Sequence, residues 1–362
     1  MRSLSRLPIP NSWHDIDACW MHKALARDCP GAVVDSVTLD RSDDGTNRRA
    51  KFSLTYAEGG GPQGLFLKAH ASSHRWVHFR NGNLFNEARL FSTGIELPLE
   101  HPKVYASRCD YLHLDFLLVM EDITLRGADP RDATRPLSVD QAASGLKALA
   151  RLHSQYWNQT PNKKLRFVKH WKPAKGWQVG LRKRIPIGMQ RGAALLPATI
   201  GSMDAVHLVE LWSRYIACIA SSSKTLLHGD AHIGNTYVLP DNTVGFLDWQ
   251  VVRWGGWSQD VGYFLQGALT PEDRRQNDRD LLRVYRAALT VPESDKPSQD
   301  DIWRDYCAAS VYGLAIWLST LGTDGWQDKV ICEALVERYA IAWVELGGLE
   351  NLQQLITALG VD

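Results

Sequence analysis

The sequence predicts an α+β protein of two parts, an N-terminal five-stranded antiparallel sheet followed by a larger, mainly helical C-terminal region. The chain has 362 residues, more than one hydrophobic core usually organises. Before Met120 the apolar residues form short β-branched and aromatic runs, whereas after it they recur at helical spacing. We therefore expect an N-terminal domain over residues 1–123 and a C-terminal domain over residues 124–362.

The composition is typical of a folded globular protein. Hydrophobic residues make up 44% and charged residues 22% of the chain, and the formal net charge is +1. Such a balance creates no field that would attract nucleic acid or an anionic membrane. The apolar runs are too short to cross a bilayer, and no apolar signal core follows Met1. We expect a cytoplasmic protein with neither a nucleic-acid nor a membrane partner.

The N-terminal elements can be placed one by one. A polar turn-forming segment joins the first two strands into a hairpin, and the last strand is apolar on both faces and should be buried. Helical spacing from Phe79 to Gly94 predicts one helix, which carries Glu87. The predicted strands are Val33–Leu39, Lys51–Tyr56, Gly64–His70, Val104–Ser107 and Asp115–Met120.

Helical patterns dominate the rest of the chain. A turn-rich segment, GADPRDATRP, leads into a capping box made by Ser138 and Gln141, which marks the start of a helix. Comparable helical patterns cover residues 203–221, 260–269, 300–319 and 326–346. The six cysteines have no CxxC spacing, which favours free buried thiols over disulfides.

The strongest local signal is the loop HGDAHIGN, followed by a short hairpin and an aspartate. Phosphoryl transfer needs a carboxylate that accepts the proton of the attacking hydroxyl, and oxygen ligands for Mg²⁺. Asp230 is suited to the first task, and Asn235 and Asp248 to the second. Asp230 and Asn235 have the spacing of catalytic loops of the HRDxxxxN type. Each residue alone could equally cap a turn, so the combination carries the prediction.

A second group of candidates lies in the N-terminal strands. Lys68 could neutralise nucleotide phosphates while Glu87, on the following helix, holds it extended. A lone lysine on a strand is otherwise typical of a solvated sheet edge. The hairpin tip with Gly45, Thr46 and Asn47 could lay backbone N–H groups over the phosphates. Any β-hairpin has such a tip, so this signal depends on Lys68.

These motifs resemble the aminoglycoside phosphotransferase and choline kinase superfamily, and more closely its ecdysteroid-kinase-like branch. HGDAHIGN resembles the superfamily's HGDxHxxN loop, and LDWQ its metal motif. Asn-Glu-Ala-Arg at residues 86–89 and Met-Glu-Asp at residues 120–122 are similar to the first helix and the hinge of that branch. The resemblance implies a bilobal protein-kinase-like fold.

The resemblance also implies a role for each matching residue. Asp230 would be the catalytic base, Asn235 and Asp248 the Mg²⁺ ligands, and Lys68 with Glu87 the phosphate-positioning pair. The remaining roles are ATP binding by Gly45, Thr46, Asn47, Met120, Glu121 and Asp122, and support of the catalytic loop by His228, His232 and Asp260. From the residues alone, Asp260 is adequately explained as a helix N-cap.

The resemblance predicts an ATP- and Mg²⁺-dependent small-molecule kinase acting on a hydroxylated substrate. The acceptor would be a bulky or apolar metabolite (steroid-like, terpenoid or phenolic) or an aminoglycoside-like antibiotic. The alternative is a catalytically idle nucleotide-binding scaffold, although such proteins usually lose the base or a metal ligand. A protein kinase is disfavoured because no activation segment follows Asp248.

Three other features allow two interpretations each. His228 and His232 have a spacing that zinc ligands use, but no HExxH arrangement accompanies them. The basic stretch Lys172–Arg191 could bind an anion or form a solvated helix face. Of 14 tryptophans most should be core, yet Trp171 and Trp177, and also Trp254 and Trp257, could line an apolar acceptor pocket.

Overall fold

The structure is a computed structural model that describes residues 7–44, 47–71, 82–172 and 175–361. The chain divides into two compact units, one of Met1–Glu96 with His101–Ala128 and one of Leu97–Glu100 with Asp129–Asp362. The predicted α+β class is confirmed, with a five-stranded antiparallel sheet and a larger helical part. The division after residue 123 falls shortly before the boundary of these units, and as a statement about functional domains it stays a prediction.

The first unit is built on the antiparallel sheet, in the order β1-β2-β3-β5-β4. Four strands are longer than predicted, and in the first two, β1 (Val33–Asp44) and β2 (Asn47–Glu58), polar pairs such as Asp43 with Arg49 continue the ladder. β3 has the predicted bounds. The strands are β1 (Val33–Asp44), β2 (Asn47–Glu58), β3 (Gly64–His70), β4 (Val104–Asp110) and β5 (Asp115–Glu121).

Both faces of this sheet are covered, and β5 shows why. Successive side chains of a strand point to opposite faces. Leu117 and Val119 pack into a core with helix α1 (Ala18–Leu25), whereas Leu118 and its neighbours pack against α2 (Asn86–Ser92). Helix α1 was not predicted. The helix predicted over residues 79–94 is shorter where it is described, and residues 79–81 lie outside the described part.

The second unit is mainly helical. The capping box of Ser138 and Gln141 is present at the start of α3. The single helix predicted over residues 300–319 is interrupted at Ala309. Three of the described helices of this unit were not predicted: Ala198–Gly201, Pro271–Ala288 and Gly348–Leu359. The helices are α3 (Val139–Tyr156), α4 (Lys175–Arg191), α5 (Ala198–Gly201), α6 (Ala205–Ser221), α7 (Ser258–Ala268), α8 (Pro271–Ala288), α9 (Gln299–Ala308), α10 (Ser310–Leu321), α11 (Lys329–Glu345) and α12 (Gly348–Leu359).

Two small sheets frame the HGDAHIGN loop. One pairs β7 (Lys224–Leu227) with β10 (Arg253–Gly256), and the other orders β6 (Asp129–Pro130), β8 (Thr236–Val238) and β9 (Val244–Phe246) as β6-β8-β9. The loop therefore connects a strand of one sheet to a strand of the other, and so does the segment from β9 to β10. This arrangement gives both segments fixed ends.

Two whole-chain expectations can be compared with the structure. All six cysteines are free, and Cys218, Cys307 and Cys332 are buried, so the prediction of free thiols is confirmed and that of burial holds for half of them. Within the described residues, no helix is long and apolar enough to cross a membrane.

Candidate functional site

The loop after β7 and the segment after β9 lie side by side. The backbone N–H of Leu247 donates to the carbonyl of Asn235 at 2.8 Å, and Nε2 of His228 donates to the carbonyl of Leu247 at 2.8 Å. Asp248 follows Leu247 directly. The structure thus brings Asn235 and Asp248 together on adjacent backbone segments, with His228 bridging them.

Asp230 and Asn235 are joined within the loop. Nδ2 of Asn235 donates to the backbone carbonyl of Asp230 at 2.8 Å and to its carboxylate Oδ2 at 3.1 Å. Because the amide nitrogen is engaged in this way, the amide oxygen is the atom of Asn235 that suits a cation. The same bonds restrict the rotamer of Asp230, which is part of preorganising a base.

Asp248 has an unusual backbone. Its φ of 58° and ψ of 74° lie in the left-handed region, which costs a residue with a Cβ about 1–2 kcal/mol. Its Oδ1 accepts from the backbone N–H of Gln250 at 3.4 Å, so the side chain caps a short turn. Such backbone strain is found preferentially at functional sites, and it fixes the direction in which the carboxylate leaves the chain.

A buried carboxylate holds the start of the loop. Asp260 is fully buried and accepts from the backbone N–H groups of His228 (2.6 Å) and Gly229 (2.9 Å). Its neighbour Gln259 donates to the carbonyl of Gly229 at 2.9 Å. The N-cap interpretation of Asp260 is wrong, because α7 begins at Ser258 with Trp257 at the N-cap. The first turn of α7 instead binds the loop backbone.

His232 lies under the loop, between aromatic rings. Its Nδ1 accepts from the N–H of Gly234 at 3.1 Å, and the rings of Tyr263 and Trp317 pack at 5.7 and 5.1 Å. Burial lowers the pKa of His232, so the ring is neutral at neutral pH. Since Nδ1 is an acceptor, Nε2 carries the proton and faces Oδ2 of Asp230 at 3.9 Å.

No zinc arrangement accompanies these histidines. Nδ1 and Nε2 of His228 are both used in hydrogen bonds to the protein backbone, with Asp230 and Leu247. Among the residues that the structure describes, no group of three histidine, cysteine or acidic side chains is placed to hold a metal ion. The candidate cation ligands are therefore the oxygens of Asn235 and Asp248.

In the first unit, Lys68 and Glu87 form a buried ion pair. Their Nζ and Oε2 atoms are 2.7 Å apart, and the side chains are only 6% and 4% exposed. β3 lies in the middle of the sheet, where Lys68 pairs with Arg49 of β2 and Leu118 of β5. The interpretation of Lys68 as a solvated charge on a sheet edge is therefore wrong.

Met120 and Glu121 end β5 in the same unit, and Asp122 follows as the cap of a short helical turn. The side chain of Glu121 accepts from the backbone N–H of Lys103 at 2.8 Å, and that of Asp122 pairs with Lys51 at 2.6 Å. Both carboxylates are thus engaged by the protein. Any ligand contact of this segment would fall to its backbone.

The hairpin tip can be located only in part. Gly45 and Thr46 lie outside the described residues. Asn47, the first residue of β2, is 3% exposed and pairs with His70 in the register of β2 and β3.

Sequence reasoning missed Arg253. This first residue of β10 stacks its guanidinium 3.7 Å above the centre of the Trp171 ring, and its Nε donates to the carbonyl of Val251 at 2.9 Å. A signal was present, because a lone arginine interrupts the mostly apolar stretch VVRWGGW, which begins three residues after Asp248. Its proximity to Gly229 arises from strand pairing, which the sequence alone does not show.

Residues 84–296 match the family model described as the phosphotransferase enzyme family (APH). This span is more than half of the chain. The protein belongs to the phosphotransferase enzyme family. No curated protein matches the sequence.

Solved structures with this phosphotransferase fold resemble the chain at low sequence identity. A spectinomycin phosphotransferase, in complex with ADP and spectinomycin, has a TM-score of 0.54 at 14% identity and covers 91% of this chain and 99% of its own. A microcompartment-associated aminopropanol kinase (TM-score 0.47, 16% identity, 94% and 99% coverage) and a choline kinase from Streptococcus pneumoniae (0.44, 13%, 94% and 98%) are also similar. The first of these supports the kinase-like fold.

Proposed function

We propose that this phosphotransferase moves the γ-phosphate of ATP onto a hydroxyl group of a small molecule. The observation that carries the proposal is the loop with Asp230 and Asn235, hydrogen-bonded to each other, braced by Asp260 and adjacent to Asp248. A carboxylate and two oxygen ligands on fixed backbone are the parts that phosphoryl transfer requires. Membership of the phosphotransferase family supports the same reaction class.

In this proposal Asp230 orients the acceptor hydroxyl and takes its proton. Asn235 and Asp248 would hold Mg²⁺, since an amide oxygen and a carboxylate are the hard ligands that this ion prefers. When bound, Mg²⁺ would neutralise charge on the phosphates. His228 and His232 keep the loop in place through the hydrogen bonds described above, and the neutral His232 adds no charge beside the base.

The first unit would supply the nucleotide contacts. Lys68 would pair with the phosphates while Glu87 keeps its side chain extended. The backbone of Met120, Glu121 and Asp122 would bind the adenine, because two of these side chains are already engaged. The hairpin tip, including Gly45, Thr46 and Asn47, would cover the phosphates. Residues 1–123 would thus form the nucleotide-binding domain.

For the acceptor we propose a bulky or apolar alcohol, of the steroid-like, terpenoid or phenolic kind, with aminoglycoside-like antibiotics as the second class. Trp171 makes edge contacts at 6.1 Å with Trp177 and at 6.0 Å with Trp212, and Trp177 stacks on Trp212 at 6.4 Å. Trp177 is the half-exposed member of this set. An aromatic cluster of this kind suits an apolar substrate, as expected in the ecdysteroid-kinase-like branch.

The test is a turnover assay with purified protein, ATP and Mg²⁺ against pooled hydroxylated metabolites, followed by mass spectrometry of the phosphorylated product. Asp230→Asn should lower kcat by about 10²–10⁴-fold, the range of a general base, and Asp248→Ala should raise the Mg²⁺ requirement. Asp300→Asn, at an exposed position on α9, is the matched control and should keep wild-type activity. If Asp230→Asn and Asp248→Ala turn over as fast as wild type, the site is wrong.

The alternative of an idle scaffold makes a different prediction in the same samples. A scaffold would be stabilised against heat by ADP or ATP, since a ligand that binds only the folded state raises the melting temperature. Such a scaffold would release no ADP from ATP with any of the metabolite pools. Stabilisation by nucleotide with turnover supports the enzyme.

A further inference from the structure

Arg253 stands directly against the loop that carries Asp230. In the pairing of β10 with β7 it lies opposite Leu227, the last residue before that loop. A Cβ atom added to Gly229 would be 3.0 Å from Nε of Arg253. The guanidinium therefore packs against the residue that precedes Asp230.

The guanidinium is held on several sides. Its Nε donates to the carbonyl of Val251 at 2.9 Å, and its Cζ lies over the Trp171 ring, 3.7 Å from the ring centre. Trp171 is itself fixed, because its backbone N–H donates to the carbonyl of Trp254 at 2.8 Å and its side chain is buried. Stacking on an aromatic ring preorganises the planar fork of an arginine.

The two terminal amino groups of Arg253 make no hydrogen bond to any residue that the structure describes. Within the described ranges of the chain, Nε makes the only hydrogen bond of this side chain, and no carboxylate forms an ion pair with it. Other buried arginines differ: Arg274 pairs with Asp278 and Glu345, and Arg338 donates to two backbone carbonyls. A half-buried cation with two uncommitted donors is suited to an anion from outside the chain.

The surrounding charges agree with a cation at this position. Burial lowers the pKa of Arg253, while Tyr312, Asp230 and Asp260 act in the opposite direction. Because the carboxylates favour the charged form and the pKa of a guanidinium is far above neutrality, Arg253 stays protonated.

We propose that Arg253 binds the phosphoryl oxygens while the group is transferred to the hydroxyl held by Asp230, an inference that rests on the proposed function. In this step the bond from the γ-phosphorus to the β–γ bridging oxygen breaks, and its electron pair leaves with ADP. The acceptor oxygen bonds to phosphorus, and the hydroxyl proton passes to Asp230. Arg253 keeps its proton and offsets the charge spread over the equatorial oxygens.

The first arm of the test is kinetic. Arg253→Gln should lower kcat by about 10²-fold or more, the effect of removing a donor to transition-state charge, and should change KM for ATP little. Arg253→Lys should recover part of the loss, because it keeps the charge without the planar fork. Without an acceptor, the slow hydrolysis of ATP by water is measured instead. Arg214→Gln, at an exposed position on α6, is the control.

The second arm uses a mimic of the transferred group. ADP with Mg²⁺ and tetrafluoroaluminate should raise the wild-type melting temperature more than ADP with Mg²⁺ alone. Arg253→Gln should keep the ADP shift, which shows that it is folded and binds nucleotide, and lose the additional one. Equal additional shifts in both proteins overturn the proposal.

Two further results are distinguishable. If Arg253→Gln raises only KM for the acceptor and leaves kcat unchanged, the bound oxyanion is a carboxylate of the substrate, and the phosphoryl role is refuted. If wild type shows neither an ADP shift nor turnover, the proposed function fails and this inference fails with it.

Discussion

At the residue scale, Gly229 sets the path of the loop before Asp230. Its φ is +84°, a conformation that residues with a Cβ rarely adopt. A Cβ there would lie 2.2 Å from the backbone carbonyl oxygen of Val251. The same carbonyl accepts a hydrogen bond from Arg253, which holds it in place. The close approach of the loop to the segment after β9 therefore requires a glycine at this position.

We therefore expect Gly229→Ala to lose at least about 1–2 kcal/mol of folding stability from backbone strain alone, with more from the clash. The folded fraction of Gly229→Ala should also have a lower kcat than wild type, because the changed loop path displaces Asp230. Urea unfolding and kcat of the folded fraction measure the two effects. Gly201→Ala, where a Cβ meets nothing within 4 Å, should stay within about 0.5 kcal/mol of wild type. Wild-type kcat in Gly229→Ala would show that the loop tolerates another path.

The candidate residues show what motif spacing can predict. Asp230, Asn235 and Asp248 were found because one loop and one short hairpin separate them along the chain. The position of Arg253 and the hydrogen bonds of Asp260 to the loop were not predicted. They depend on the pairing of β7 with β10 and on the contact of α7 with the loop. Residues that meet through tertiary packing leave no spacing in the sequence.

At the scale of elements, the apolar runs predicted which segments form strands but not where the strands end. β3 was predicted with its full bounds because its apolar run ends with the strand. β1 and β2 continue through polar residues that pair across the ladder, such as Arg49 with Asp43 at 2.6 Å. Such pairs need a known register, so the apolar pattern alone cannot supply them.

The Lys68–Glu87 ion pair links β3 to α2. Replacing one partner and then both measures how much the pair contributes to stability. Breaking a buried ion pair by removing one partner typically costs about 3–5 kcal/mol, whereas replacing both partners costs much less. Glu87→Gln should therefore destabilise the first unit by about 3 kcal/mol, and Lys68→Met/Glu87→Gln should be more stable than Glu87→Gln alone. Denaturant unfolding of wild type, Glu87→Gln, Lys68→Met and the double variant provides the double-mutant cycle.

The matched control is the exposed pair of Lys329 and Glu333 on α11, at 3.3 Å with side chains 72% and 33% exposed. Glu333→Gln should change stability by less than about 1 kcal/mol. If Glu87→Gln has an equally small effect on the free energy of unfolding, removing one partner does not leave an uncompensated buried charge, and the expected cost of breaking the pair is refuted. The nucleotide-induced melting shift, measured on the double variant, tests its phosphate role separately and should be smaller than in wild type.

At the scale of the whole molecule, the change from strand to helical patterns near Met120 was enough to predict the fold class. That change reflects how each part buries its apolar residues, which is a property of local sequence. The interruption of the 300–319 helix at Ala309 was not predictable in this way, because the helical periodicity continues through both halves.

The pH dependence of stability is a sum over the molecule, and Asp305 acts in the opposite direction from the aspartates whose pKa is lowered in the folded state. The pKa of Asp129, for example, is lowered by hydrogen bonds from Arg135 and Arg131. Asp305 on α9 is 8% exposed, and burial raises its pKa to about 6 although Arg304 acts against the shift. Between the ordinary pKa, near 4, and about 6, the folded state binds more protons at this carboxyl than the unfolded state. This group therefore lowers stability as pH rises through that window.

We expect Asp305→Asn to match wild type near pH 4 and to become more stable relative to it by about 2–3 kcal/mol at pH 7, as a shift of about two units implies. Urea unfolding of both proteins at intervals across this range measures the difference. Gln299→Asn, exposed on the same helix, changes no titratable group and should show a pH-independent difference from wild type. If Asp305→Asn is instead the less stable protein at pH 7, by a deficit that shrinks toward acid, the ion pair with Arg304 outweighs the burial of the carboxylate.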